Sequence, residues 1–214
     1  IITNSGLLRP LDRDFIKMMK PNAIIALMFE SWEFRHEDIN IDMCREKNIK
    51  IVGVNERHKL VDVFNYVDIL AIKMLLEAEV EIYRSEIGII SSDRFGKVIR
   101  DFLRKCGARV FLLNVPFKSL LEVDRLDAII YADYSSTLQL SFNDLMTIKN
   151  SSIKIIQFIG IPEYEKVRQV GVYIYPDKFV PVHTMARTFA YLGPKPVIEL
   201  QTAGLKSAEV FITG

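Results

Sequence analysis

The sequence predicts an α/β fold built on parallel strands, and three observations predict it. Short runs rich in Ile and Val recur along the chain, most of them apolar on both alternating faces, as strands covered on both sides of a parallel sheet are. Stretches of helical length separate these runs, the alternation that right-handed βαβ crossovers produce. Composition permits a sizeable core: of 214 residues, 50% are hydrophobic and 26% charged, so the chain is neither disordered by composition nor a solvated tail.

Taken in order, Ile1–Thr3 reads as the remnant of a strand and Leu11–Met19 as a helix leading to the run Ala23–Phe29. A helical stretch Arg35–Lys47 precedes the short run Ile51–Val54. The segment His58–Glu79 carries Leu60, Val63, Phe64, Val67, Leu70, Ala71, Met74 and Leu75, the i, i+3, i+4, i+7 spacing of a helix with a wide apolar face. At about 1.5 Å per residue it would span roughly 30 Å; a core-packing face is favoured over an interdomain or dimer surface. Ile87–Ile90, Arg94–Cys106, Val110–Leu113, Ala128–Ala132, Asn143–Lys149 and Ile153–Ile159 continue the alternation, and a last helix is expected at Thr184–Leu192.

Charge and composition narrow the function. Twenty-eight basic residues against 27 acidic leave a formal charge of +1, and no face-sized run of Lys or Arg marks a phosphate-backbone binder. The longest apolar stretch, Ala23–Phe29, is far short of the roughly 20 residues a membrane helix needs, and no signal peptide opens the chain. The expected partner is therefore a small molecule, with neither nucleic acid nor membrane involved. Cys44 and Cys106 lie far apart with no CxxC pair, so neither a disulfide framework nor a metal site is expected and a reducing, cytoplasmic setting fits. The chain opens at Ile1 rather than Met, from which residues upstream are expected.

The most informative segment is Glu86–Asn114, EIGIISSDRFGKVIRDFLRKCGARVFLLN, which reads as strand, turn, helix, strand. A dinucleotide-binding unit opens with a GxGxxG turn, so that the backbone approaches a pyrophosphate resting on a helix N-terminus. Here that turn is Ser91-Ser92-Asp93-Arg94-Phe95-Gly96, keeping only the third glycine, which serves helix–strand packing. A carboxylate at Asp93 is a good N-cap, accepting from the amides a phosphate would use, and the helix dipole stabilises it by about 0.3–1 kcal/mol. A capped helix and a ligand site thus compete for the same donors. Where an acidic residue holds the ribose hydroxyls, roughly 20 residues on, stands Asn114, an amide that leaves NAD against NADP open. Lys118 nearby reads as a solvated loop lysine.

At these residues the chain resembles the D-isomer-specific 2-hydroxyacid dehydrogenase family. Ile39-Asn40-Ile41-Asp42 with Cys44 and Asn48-Ile49-Lys50-Ile51 is similar to its substrate-domain pattern, the long helix to its interdomain helix, and Gly88-Ile89-Ile90 with Arg94-Phe95-Gly96-Lys97 to its cofactor turn. The resemblance implies a nicotinamide cofactor, NAD or NADP, a general-acid histidine paired with a carboxylate, and an arginine clamping a substrate carboxylate. Aligned in order, Ile159 stands at the arginine position, Tyr175-Pro176 at the glutamate position, and His183, within Val182-His183-Thr184-Met185-Ala186, at the histidine. His183 is the one retained catalytic candidate.

The turn Ser91, Ser92, Asp93, Arg94, Phe95 and Gly96, together with Asn114 and the strand end Tyr131, Ala132 and Asp133, forms the candidate cofactor seat. Tyr134, Ser135 and Ser136 follow at the sheet edge where ligands of open α/β sheets bind. His36 and His58 sit among charges and read as solvated, and Trp32 with Phe34 as packing. No GxSxG elbow and no GxxxxGK[ST] loop is present, which removes the anchors of a hydrolase triad and of P-loop phosphotransfer. The expected architecture is a Rossmann-like doubly wound parallel sheet over residues 81–214, with a second, truncated flavodoxin-like α/β lobe over 1–80 that includes the interdomain helix. Two functions stand against each other: a divergent NAD(P)-binding dehydrogenase-like protein, expected as a homodimer, and a non-catalytic binding or oligomerisation module on the same fold. An adenine nucleotide in the cleft is a third.

Overall fold

The structure, a computed structural model, describes residues 1–4, 10–30, 33–34, 36–56, 58, 61, 63–116, 125–138, 140–148 and 152–214. Its contacts divide the chain into two compact units, one of Ile1–Phe64 with Leu192–Gly214, the other of Asn65–Tyr191. This grouping differs from a division at residue 80: the helix expected to close the first lobe belongs to the second unit, and the C-terminus returns to the first.

In the first unit β1 (Ile2–Asn4), β2 (Ile24–Leu27) and β3 (Lys50–Val52) form a parallel sheet in sequence order, Ile25 lying opposite both Ile2 and Ile51. Helix α1 (Arg13–Met18) starts where the Asp12 carboxylate accepts the Phe15 amide at 2.8 Å. At its end the Lys47 ammonium donates to the carbonyls of Ile16 (3.3 Å), Lys17 (2.5 Å) and Met19, neutralising acceptors that a helix C-terminus leaves open. The stretch expected as one helix over Arg35–Lys47 is broken: Ile39 bridges to Leu11, a 3-10 turn covers His36–Asp38, and α2 (Ile41–Glu46) begins only after Asn40 caps the Met43 amide. The sheet is covered by a 20-residue helix further along the chain, Pro194–Thr213. Its Gly204 lets the helix backbone sit so near that an added Cβ would stand 3.0 Å from the Leu27 carbonyl oxygen, and Ala208 packs with Ile24 and Ala26.

The second unit begins with α3 (Asn65–Glu77). Its buried residues Val67, Leu70, Ala71, Met74 and Leu75 are those the periodicity selects, but the helix starts at Asn65 rather than His58. Val61 and Val63 are spent in tight turns on His58 and Val61, and Leu60 lies outside the described residues. Its 13 residues span about 20 Å. Then follow β4 (Glu86–Ile90), α4 (Arg94–Lys105), β5 (Arg109–Leu112), β6 (Ala128–Tyr131), α5 (Phe142–Ile148), β7 (Lys154–Gln157), α6 (Tyr164–Gln169) and β8 (Tyr173–Tyr175); the Pro194–Thr213 helix is α7. All strands are parallel, in the order β5-β4-β6-β7-β8. Ile87, Ile89, Ile129, Ile130, Ile155 and Ile156 are fully buried, so the central strands are covered on both faces, the doubly wound Rossmann-like arrangement. The chain reverses direction across the sheet between β4 and β6, and the carboxyl ends of those strands are where such folds bind ligands. Thr184–Leu192 is not a helix. Met185 bridges to Ile159, and the Ala186 amide donates to the Phe158 carbonyl, which ties the segment to the end of β7 through a series of bends until a 3-10 turn at Phe189–Tyr191.

Candidate functional site

The carboxyl ends of β4 and β6 bring the Ser91–Gly96 turn against Asp133. Asp93, the N-cap of α4, accepts the Phe95 amide (2.9 Å) and the Ser91 hydroxyl (3.0 Å) on Oδ1, and the Tyr134 amide (2.6 Å) on Oδ2. Ser91 Oγ accepts the Gly96 amide at 3.1 Å and the Asp93 amide at 3.4 Å. Asp133, fully buried, accepts the Ser92 amide (2.7 Å) and hydroxyl (2.5 Å) on Oδ1 and the Leu138 amide (2.8 Å) on Oδ2. Ser135 and Thr137 close the ring, their hydroxyls 2.8 and 2.7 Å from that of Ser92. The amides that would hold a pyrophosphate are thus bonded to the chain's own oxygens.

Sterics agree with this filling. Gly96 is required because Ser91 occupies the space beneath it: an added Cβ would stand 2.5 Å from Ser91 Cβ. Phe95 is buried, its ring stacked 6.0 Å from that of Tyr134 and equally far from Phe158. Burial pushes the Asp93 carboxyl above its ordinary value and the Asp133 charge adds to this, while the bonds from Phe95, Tyr134 and Ser91 pull it back. Desolvation and the Asp133 and Asp93 carboxylates push the Tyr131 phenol far up, and it donates to the Leu138 carbonyl at 2.9 Å. Tyr131 and Ala132 are core residues, not lining.

The segment after β8 crosses the end of β7, with the Gly160 amide donating to the Thr184 carbonyl at 2.9 Å. Gly160 permits it, since a Cβ there would lie 2.1 Å from the Pro181 carbonyl oxygen. The crossing brings His183 to the site: its Nδ1 lies 2.5 Å from the Tyr134 carbonyl oxygen and its ring stands edge-on to the Tyr134 ring. A carbonyl only accepts, so Nδ1 carries the proton and Nε2 is the basic nitrogen of the neutral ring. Ile159 is fully buried, and the Tyr175 phenol donates to Glu77, so neither replaces the arginine or the carboxylate expected beside His183. Asn114 and Arg94 are exposed, Asn114 beyond the end of β5. Lys118 and Trp32 lie outside the described residues; Phe34 stands edge-on to exposed His36. Exposed His58 borders a groove of about 760 Å³ in the first unit, between Val54 and Val61 on one side and Ala203 and Val210 on the other. Among the described residues, no three His, Cys, Asp or Glu side chains are grouped to hold a metal, and no helix is long and apolar enough to cross a membrane.

Sequence reasoning placed Asp93 and missed Thr137 and Leu138. The signal for them was Asp133 followed by Tyr-Ser-Ser-Thr, since an Asp that accepts amides a few residues downstream commonly folds such a hydroxyl-rich turn.

No protein-family model and no curated protein matches the sequence. Solved structures do match. The dipicolinate synthase chain from Bacillus halodurans is 14% identical, with a TM-score of 0.59 over 95% of this chain and 69% of that one. The 2-hydroxyacid dehydrogenase of Ketogulonicigenium vulgare is 11% identical, with a TM-score of 0.57 over 100% and 81%. An NAD-dependent formate dehydrogenase from Staphylococcus aureus, solved with NAD, is 15% identical, with a TM-score of 0.53 over 99% and 78%. At these identities the likeness shows the fold alone, a Rossmann-like α/β arrangement.

Proposed function

We propose that this chain keeps the dehydrogenase-like fold as a non-catalytic binding or oligomerisation module and does not carry out dinucleotide-dependent redox chemistry. One observation supports this above the rest: the amides of Ser92, Asp93, Phe95 and Gly96 donate to Asp133, Ser91 and Asp93, and two carboxylates stand where a pyrophosphate would bring like charge. The residues present do not fit a dinucleotide. Burying a second anion against them would strip those amides of acceptors at about 1–3 kcal/mol each. A thermal-shift panel with NAD⁺, NADH, NADP⁺, NADPH, ADP-ribose and AMP tests the reading. Flat curves are expected; a ligand at 100 times its Kd adds about 2.7 kcal/mol, and such a gain with any dinucleotide overturns it. The proposal includes a homodimer in a reducing, cytoplasmic compartment, checked by sedimentation of the purified chain and by its localisation.

The placement of His183 favours a second reading, a divergent NAD(P)-dependent oxidoreductase acting on a 2-hydroxy or 2-keto acid. With Nδ1 tied to Tyr134, protonated His183 would present Nε2 as a proton donor to a ligand oxygen. Turnover of any 2-keto acid that His183→Asn abolishes would establish this reading in place of the first.

A further inference from the structure

Helix α7 meets the three-stranded sheet with one side only. Its buried residues are Pro196, Leu200, Ala203, Gly204 and Ala208, where it packs on β1, β2 and β3. The opposite side carries Ile198, Leu205 and Ile212, which are 61, 43 and 61% exposed. They recur every seven residues, which at 3.6 residues per turn places them in one row along the helix. A helix that is apolar on two sides is expected to be covered on both. A row with this period is the seam by which one helix packs along another.

The row is complementary to itself. Ile198 and Ile212 lie equally far from Leu205 in the chain, so a twofold axis beside Leu205 maps the row onto itself with the helices antiparallel, the isologous contact of a homodimer. The two leucines then meet near the axis, and Ile198 of each copy meets Ile212 of the partner subunit. Charge agrees with that direction. Glu199 and Lys206 stand on one flank of the row, seven residues apart, and both line the groove of about 760 Å³ beside α7. Antiparallel pairing brings Glu199 of each copy toward Lys206 of the partner subunit, whereas parallel pairing in register would set like charges abreast. Lys206 also donates to Glu209 of its own helix at 2.9 Å, a bond that uses one of the three donors of its ammonium. We propose that the Ile198, Leu205 and Ile212 row of α7 is the contact between two copies of this chain, paired antiparallel about a twofold axis at Leu205, a placement that rests on the homodimer proposed above and assigns its surface.

Sedimentation equilibrium of the full chain and of Leu205→Glu, up to several hundred micromolar, reads the contact. The parent is expected to be a dimer whose Kd rises on the order of a hundredfold in Leu205→Glu and likewise in Ile198→Glu, with unchanged far-UV circular dichroism because both side chains are exposed in the single chain. Lys206→Glu should weaken the dimer several-fold, and Glu199→Lys added to it should restore the affinity. Leu205→Cys in a Cys106→Ser background should give a disulfide-linked dimer on mild oxidation, while Phe111→Cys, about as exposed on β5, should not. A dimer that survives Leu205→Glu, or that gives no cross-link through Leu205→Cys, overturns this contact and leaves the homodimer standing. A parent chain that stays monomeric overturns both, including one that phosphatidylcholine vesicles deplete from solution, where lipid is what covers the face. If Leu205→Glu fails to fold, the cross-link and the charge exchange still decide.

Discussion

Asp93 shows how one side chain redirects a site. Its two oxygens take three donors, more than an amide can accept in the same place, so Asp93→Asn turns an NH2 group toward the Phe95 or the Tyr134 amide. The expected loss is about 1–3 kcal/mol in urea denaturation. Because burial holds the Asp93 carboxyl above its ordinary value of 3.8, the folded chain binds that proton more tightly than the unfolded one. Its contribution to stability is therefore greatest at low pH and falls as pH rises from that ordinary value through the raised one. The stability difference between parent and Asp93→Asn should narrow across this window. Gly96 and Ser91 form a second coupled pair. Gly96→Ala drives a Cβ into Ser91 and should cost about 1–3 kcal/mol, whereas adding Ser91→Gly should restore part of it, a coupling of about 0.5–3 kcal/mol read by a double-mutant cycle. The cap at Asp93 was legible because an Asp before a helix competes with phosphate for the same amides. The partner at Asp133 was legible only as a strand end, since nothing local reveals that it reaches across 41 residues to Ser92.

Among the elements, the strands buried on both faces were the plainest, while β3 and β5, more exposed, were still marked by their Ile, Val and Leu. β2, β4, β6 and β7 are covered on both faces, so their apolar runs announce them. Three elements escaped. β8 alternates a buried Ile174 with more exposed tyrosines, α6 has only 6 residues, and α7 carries Pro194, Pro196 and Gly204 together with exposed Ile198, Leu205 and Ile212, which blurs its apolar face. Helix ends depended on side chains far away in sequence. Lys47 closes α1 from about 30 residues away, and Lys154 donates to the Ala78 and Glu79 carbonyls just beyond α3 at 2.7 and 3.1 Å. Such an ammonium at a helix C-terminus contributes about 0.3–1 kcal/mol at the surface and up to about 2 kcal/mol when partly buried. Lys47 is half-buried, so Lys47→Met should lose an amount near the upper end, while Lys50→Met on the exposed neighbouring strand should lose little; equal losses would remove the capping explanation.

For the molecule as a whole, the division into units makes truncation informative. The second unit is one continuous segment, Asn65–Tyr191, whereas the first needs both ends of the chain. Ending the chain after Tyr191 removes α7, and with it the burial of Leu200, Ala203 and Ala208 over the three-stranded sheet. Burying a leucine contributes about 1.5–3 kcal/mol and each methyl about 0.8 kcal/mol, so these three side chains alone account for a loss of about 3–5 kcal/mol, close to the lower end of a domain's margin of about 5–15 kcal/mol. The remaining sheet would expose Ile24 and Ala26. The second unit retains every strand of its sheet and the fully buried isoleucines of β4, β6 and β7. Hydrogen exchange on the truncated chain should therefore show amides of β2 and β3 unprotected and those of β4, β6 and β7 nearly as slow as in the full chain. If both sets lost protection together, the two units would have to be a single cooperative structure, and the assignment of α7 to the first unit alone would be mistaken.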